Sequence, residues 1–331
     1  MRKVNYLPYL DGWRGLAITC LLIGHFFPVS GINLGTLGVH LFFVLSGLLM
    51  TRILFLQRVH LPTFYRRRIS RIFPSVIFFL CFVTAFYALT GRKISWFETV
   101  TAATFTNNYL QPKEAWAMPF GHIWSLSVEE HSYILLSFVA LLMKTGWVKA
   151  KFAIGLCTVA LASAGCTYWI LQWPTESNLR SEVAAFGIFA SAYLLLLIQP
   201  LRRSQVHYWV FLLLTGLAVA AHWWSVPNPV QMIIGCGALA VALNLLDRAP
   251  KHIHMLLQLR PLRSLGIWSF SIYLWQQPFY MLVHREGMNP LAGLLASVIV
   301  GVLAFYLIES PARLYLNRVW TGDPHVQPVR S

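Results

Sequence analysis

Thr36-Leu37-Gly38-Val39-His40-Leu41-Phe42-Phe43-Val44-Leu45-Ser46-Gly47-Leu48-Leu49-Met50-Thr51-Arg52-Ile53-Leu54-Phe55 is a stretch whose only formal charge is Arg52. About 20 apolar residues are what a helix needs to cross the hydrocarbon layer of a bilayer, so the stretch reads as a transmembrane span. Comparable runs follow on both sides, at 14–31, 72–91, 123–143, 152–171, 181–199, 207–224, 230–246, 266–283 and 291–308. A soluble chain of 331 residues has room for one core, not for this many long apolar runs. Composition agrees. Hydrophobic residues make up 57% of the chain and charged residues only 11%, too few to cover a water-facing surface. The fold class that follows is all-α, a polytopic integral membrane helical bundle of about ten transmembrane helices. The stretch 94–111 is moderately apolar but rich in Thr and Asn, and reads as a loop or interfacial segment.

The net charge of +15 points to the membrane surface through its distribution. Lys and Arg crowd into alternate loops: Arg2 and Lys3, the loop cluster from Arg52 to Arg71, Lys144 to Lys151, Arg202 and Arg203, Arg248 to Arg263, and the C-terminal tail. The other loops hold only Arg92, Lys93, Lys113, Arg180 and Arg285. Positive charge collects on the cytoplasmic side, which predicts that both termini are cytoplasmic. No folded basic face is left for phosphates, so a nucleic-acid partner is not expected. Trp13, Trp96, Trp116, Trp173, Trp223 and Trp224 sit where interfacial belts belong. The five cysteines lie inside apolar runs without metal-type spacing, and no metal site is expected. No cleavable signal peptide is evident. The chain reads as one membrane domain over 1–331, without an appended soluble domain.

Ionisable groups within spans cost a few kcal/mol and need a reason. His25, near the outer end of the first span, has no local polar partner. It reads either as a general base toward a hydroxyl or as a packing histidine bonded to a neighbouring helix. Asp11 and Arg14 are three apart and can pair, or Asp11 can cap the helix. Asp11 and His25 are separated by roughly 21 Å along a continuous helix, too far for a direct hydrogen bond. The segment His122-Ile123-Trp124-Ser125-Leu126-Ser127-Val128-Glu129-Glu130-His131-Ser132-Tyr133 is the richest polar cluster on any span. Glu129 and Tyr133 share a face, and either glutamate is a candidate partner for His25. Helix capping by Ser125 or Ser127 accounts for one glutamate and not for both. Arginine-rich 58–71 fits positive-inside topology, and also fits phosphate binding. The ninth span carries Gln276 and Gln277, and Glu309 with Arg313 reads as a salt bridge.

These motifs together resemble the membrane acyltransferase-3 family, which includes O-acetyltransferases of bacterial O-antigens, exopolysaccharides and nodulation factors. The resemblance is carried by Tyr9-Leu10-Asp11-Gly12-Trp13-Arg14-Gly15, His25, Gly38 to Gly47, and Phe64-Tyr65-Arg66-Arg67-Arg68-Ile69-Ser70-Arg71-Ile72-Phe73-Pro74. It continues through Trp124 to Tyr133, Ser271-Ile272-Tyr273-Leu274-Trp275 and Ile308-Glu309-Ser310-Pro311. It implies a ten-helix bacterial inner-membrane protein moving an acyl group from cytoplasmic acyl-CoA, usually acetyl-CoA, to a hydroxyl of a carbohydrate or glycolipid. No bound cofactor is implied.

By that likeness His25 is catalytic and Asp11 and Arg14 are needed for activity; Glu129 and Glu130, read from their own polar cluster, are counted with them as catalytic candidates. Arg66, Arg68 and Arg71 would match the family's donor-associated basic motif, and Ser46 is a further donor-binding candidate. Trp124, Ser125, Tyr133, His40 and Tyr273 would line the acceptor site or cavity. Three positions depart from the family: His40 where an acid is more common, Gln276 where a histidine is common, and His131 in place of glutamine. The competing reading is a transporter or flippase of a glycan or small metabolite. Such folds often carry inverted repeats, and no paired half-sequences are found here.

Overall fold

The computed structural model describes residues 6–110, 119–146, 148–173, 178–201 and 204–321. The protein is 82% helical with no strand among the described residues, as an all-α membrane bundle requires. In chain order the helices are α1 (Pro8–Phe26), α2 (Leu34–Leu56), α3 (Leu61–Leu89), α4 (Trp96–Ala103), α5 (Asn107–Leu110) and α6 (Gly121–Lys144). There follow α7 (Ala150–Ile170), α8 (Ser181–Ile198), α9 (Tyr208–Ala221), α10 (Asn228–Arg248), α11 (Lys251–Leu257), α12 (Arg260–Glu286) and α13 (Pro290–Trp320). Every run read from the sequence overlaps a helix, though that at 207–224 falls on the short α9. Seven of them, α2, α3, α6, α7, α8, α10 and α13, are long and apolar enough to cross a membrane. The protein is a multi-pass membrane protein. Helices α1 and α12 have spanning length and carry charges at their ends, while α9 covers only about 21 Å in 14 residues. Of the stretch 94–111, the described residues to 110 fold into α4 and α5, both too short to cross, with Trp96 and Phe97 largely exposed.

Boundaries of α1, α3 and α13 differ from the sequence reading for local reasons. Helix α1 starts at Pro8, a residue that suits the first helical turn, so Asp11 and Arg14 lie inside the helix. It stops at Phe26, two residues before Pro28. Helix α3 starts at Leu61 with Pro62 in its first turn, which places Arg66 to Arg71 on a helix and not in a loop. The last helix runs on to Trp320 through a π-helical turn at Phe305–Glu309. Arg2, Lys3, Lys113, Trp116, Arg202, Arg203 and the C-terminal tail beyond Thr321 lie outside the described residues.

Helix α1 is the axis of the site. It packs between α2 and α12, and α2 in turn packs on α8. The α1–α12 crossing is close because Gly266 has no side chain: a Cβ there would stand 1.8 Å from the Asp11 carbonyl oxygen. Small residues permit such approaches where lipid supplies no hydrophobic drive between helices. The outward faces are apolar, with Phe152, Leu213 and Leu307 each more than two-thirds exposed, as lipid-facing residues are. At one end of the bundle the loop after α1 pairs with the end of α9, through Asn33 N–H to His222 O (2.9 Å) and Trp224 N–H to Gly31 O (2.8 Å).

Candidate active site

A cavity of about 110 Å³ opens among α1, α2, α3, α6 and α12. Its polar lining is Arg14, Ser46, Arg68, Arg71, Ser125, Glu129, Tyr133, Ser269 and Tyr273, and Phe42, Phe43 and Met50 are among its apolar walls. Eight residues singled out in the sequence therefore meet on one surface. Their helical spacing explains how. Arg68 and Arg71 are one turn apart on α3, as Glu129 and Tyr133 are on α6, so each pair presents one face.

The carboxylates of α6 are spent on arginine. Arg68 Nε lies 2.9 and 3.1 Å from the two Glu130 oxygens, and its Nη2 lies 2.9 Å from Glu130 and 3.5 Å from Glu129. The guanidinium sits over the Tyr133 ring, 3.4 Å from the centroid. Glu129 also accepts from Ser46 Oγ (2.8 Å) and Tyr133 OH (3.0 Å). Buried charges in a bilayer need partners of this kind. This arrangement corrects two expectations. Neither glutamate is hydrogen-bonded to His25: both pair with Arg68 of α3, and His25 bonds Gln276 of α12. Neither Ser125 nor Ser127 caps α6, which begins at Gly121 without a side-chain cap, so neither glutamate lies in its first turn.

Asp11 is fully buried and pairs with Arg14 at 3.2 Å. Its other oxygen accepts from Tyr6 OH, which itself accepts from Arg263 Nη2 at 3.1 Å. Asp11 therefore bonds side chains and does not cap α1. On the far part of α1, His25 Nδ1 lies 2.9 Å from Gln276 Oε1, and its ring packs against Tyr280 with centroids 5.0 Å apart. Asp11 and His25 occupy one unbroken helix with separate partners.

Tyr273 stands on the cavity wall and on the same helix as the partner of His25. Its hydroxyl meets Ser125 Oγ at 2.7 Å and donates to the His122 carbonyl, and it lies one turn from Gln276 on α12. Four of the expected residues lie off the cavity wall besides His25 and Asp11. Arg66 is exposed and reaches the Trp320 carbonyl at 3.4 Å, because it points away from Arg68 around α3. Trp124 packs edge-on against Phe43. Glu130 lies behind Arg68. His40 Nδ1 meets His222 Nε2 at 2.8 Å, and His222 Nδ1 donates to the Ala218 carbonyl at 2.7 Å. Glu309, expected to pair with Arg313, accepts from Ser271 Oγ at 2.6 Å, because the π-turn rotates it inward.

Sequence reading missed His222 as the partner of His40 and Tyr6 with Arg263 as partners of Asp11. It noted Gln276 without connecting it to His25. Their separations in the chain gave no local signal. No group of three or more potential ligands that could hold a metal ion occurs among the described residues.

The model of the acyltransferase-3 family, described as an acyltransferase domain, matches residues 7–309. The chain belongs to that family. This acyltransferase-3 chain is 26% identical to the O-acetyltransferase OatA of Staphylococcus aureus, over 95% of the chain and 58% of the relative. It is 25% identical to the peptidoglycan O-acetyltransferase OatA of Listeria monocytogenes, over 93% of the chain and 56% of the relative. It is 28% identical to BcsY of Komagataeibacter xylinus, provisionally described as a membrane-bound transacylase, over 93% of the chain and 83% of the relative. The chain thus spans a little over half the length of the OatA relatives. No solved structure matches it.

Proposed function

We propose that this chain is a bacterial inner-membrane O-acyltransferase that moves an acyl group, acetyl by family likeness, from cytoplasmic acyl-CoA to a hydroxyl of a carbohydrate or glycolipid. The observation that carries the reading is a half-buried histidine whose partner, Gln276, lies one helical turn from Tyr273 on the wall of a cavity lined by arginines and a fixed carboxylate. Arg14, Arg68 and Arg71 supply positive charge for the donor's phosphates, a task suited to the guanidinium fork. Asp11 holds Arg14 in place, and Glu129 and Glu130 hold Arg68. Ser46, Ser125, Tyr133 and Tyr273 line the route of the acyl arm. The relatives' names supply the acceptor class, since O-acetylation of peptidoglycan is transfer to a sugar hydroxyl. The distribution of Lys and Arg supports cytoplasmic termini.

The chemistry needs one base. His25 takes the proton of the acceptor hydroxyl as its oxygen attacks the thioester carbonyl. Collapse of the tetrahedral adduct breaks the carbon–sulfur bond, and the imidazolium returns its proton to the leaving thiolate. An ester and a free thiol result. Positioned acid–base groups contribute about 10²–10⁴-fold. His25→Ala, expressed at equal level in a bacterial membrane, should therefore cut ester-linked acetate on surface polysaccharide at least about 10²-fold. Equal acetate in mutant and wild type would overturn the role of His25. Absence of thioester-dependent transfer by purified wild-type protein would overturn the enzyme reading in favour of transport.

A further inference from the structure

An imidazole has two nitrogens, and only one that carries a lone pair toward the acceptor can take its proton. His25 Nδ1 is already engaged, 2.9 Å from Gln276 Oε1. Gln276 is fully buried on α12, and Tyr280, one turn further along, packs on the same imidazole ring. Both contacts come from a helix pressed onto α1 at the Gly266 crossing. No hydrogen bond to the other ring nitrogen, Nε2, forms among the described residues. Nε2 and Cδ2 face Gly35 in the first turn of α2, where a Cβ would stand 3.4 Å from each.

A primary amide has an acceptor end and a donor end, and the two have opposite consequences. With Oε1 toward His25, Nδ1 carries the proton and Nε2 is the free base. With the amide NH2 turned that way, Nδ1 would be spent as an acceptor, Nε2 would hold the hydrogen, and neither nitrogen could take a proton. Gln276 Nε2 has no hydrogen-bond partner among the described residues, so the contact with His25 is the amide's one side-chain hydrogen bond there. Carboxylates commonly perform this orienting task in water-facing enzymes. A neutral amide does it without adding a charge to the membrane interior, where one costs a few kcal/mol.

We infer that Gln276 is the positioning residue of His25: its amide oxygen accepts the Nδ1 proton, holds the imidazole in the tautomer with a basic Nε2, and aims that nitrogen at a hydroxyl approaching past Gly35. The inference rests on the reading of His25 as the base, and its test separates the two. Protein labelled with 15N-histidine and placed in bilayers is measured by solid-state NMR, with the His25 signals assigned by their loss in His25→Gln. The wild type should show a protonated Nδ1 and an unprotonated Nε2.

Gln276→Met keeps the volume and removes the acceptor, so it should release the tautomer preference and lower kcat about 10–100-fold, with KM within about twofold. Gln276→Glu keeps an acceptor oxygen at the same reach and should recover the tautomer and most of the lost kcat. A protonated Nε2 in the wild type would overturn the inference. So would wild-type kcat in Gln276→Met, or equal kcat losses in Gln276→Met and Gln276→Glu with the tautomer unchanged. Full activity in His25→Gln would instead refute the base, while the NMR signals still decide the orientation.

Discussion

Arg68 holds two carboxylates and the face of a tyrosine at once, and the balance of charge inside the bundle depends on it. Breaking a buried pair by removing one partner costs roughly 3–5 kcal/mol, because the other charge stays buried alone. Arg68→Ala should therefore reduce folded protein in the membrane fraction and lower the detergent-solubilised Tm. Arg67→Ala, on the exposed side of the same helix, should stay within about 0.5 kcal/mol of wild type. If the two variants unfold at the same temperature, the network is not structural. At this scale the sequence showed which residues were costly but not whom they would meet. Glu129 was legible as a group needing a cation. That the cation is Arg68 and not His25 depends on how α3 and α6 are rotated, and no local pattern records it. His25 and Gln276 are 251 positions apart, so their contact exists only after α1 and α12 dock.

Elements were far easier to read than contacts. Long apolar runs have one stable form in lipid, because every backbone group must be bonded within the segment. The run at 36–55 became Leu34–Leu56, and 123–143 became Gly121–Lys144. Starts of charged helices were harder, since hydropathy fades before the helix does; Pro8 and Pro62 were the better markers. The α1–α12 crossing gives a prediction at this scale. Gly266→Ala places a methyl where the Asp11 carbonyl already stands, and the two backbones must separate. Overpacking of this kind costs about 1–3 kcal/mol. Because the same crossing brings Gln276 to His25, activity should fall further than stability does. A variant with lowered Tm but unchanged kcat would show that the crossing and the site are independent.

Across the whole molecule, sidedness is the first property to test. Fusions ending near Arg58 or Lys149 should give a fluorescent cytoplasmic reporter, and fusions ending near Arg92 or Trp173 should give an active periplasmic phosphatase. The opposite pattern would invert the bundle and place the arginine-lined cavity on the wrong side for a cytoplasmic donor. Given the expected orientation, the unbroken α1 becomes a ruler. Arg14 stands on the cavity wall and His25 stands eleven residues later, roughly 16 Å further along the axis. A donor anchored by its phosphates at Arg14 must carry its acyl carbon across that length. Acetyl phosphate, whose acyl group is attached directly to its anion, is too short and should not support transfer, whereas a thioester on an extended pantetheine arm should. Reach, more than the reactivity of the acyl bond, then selects the donor.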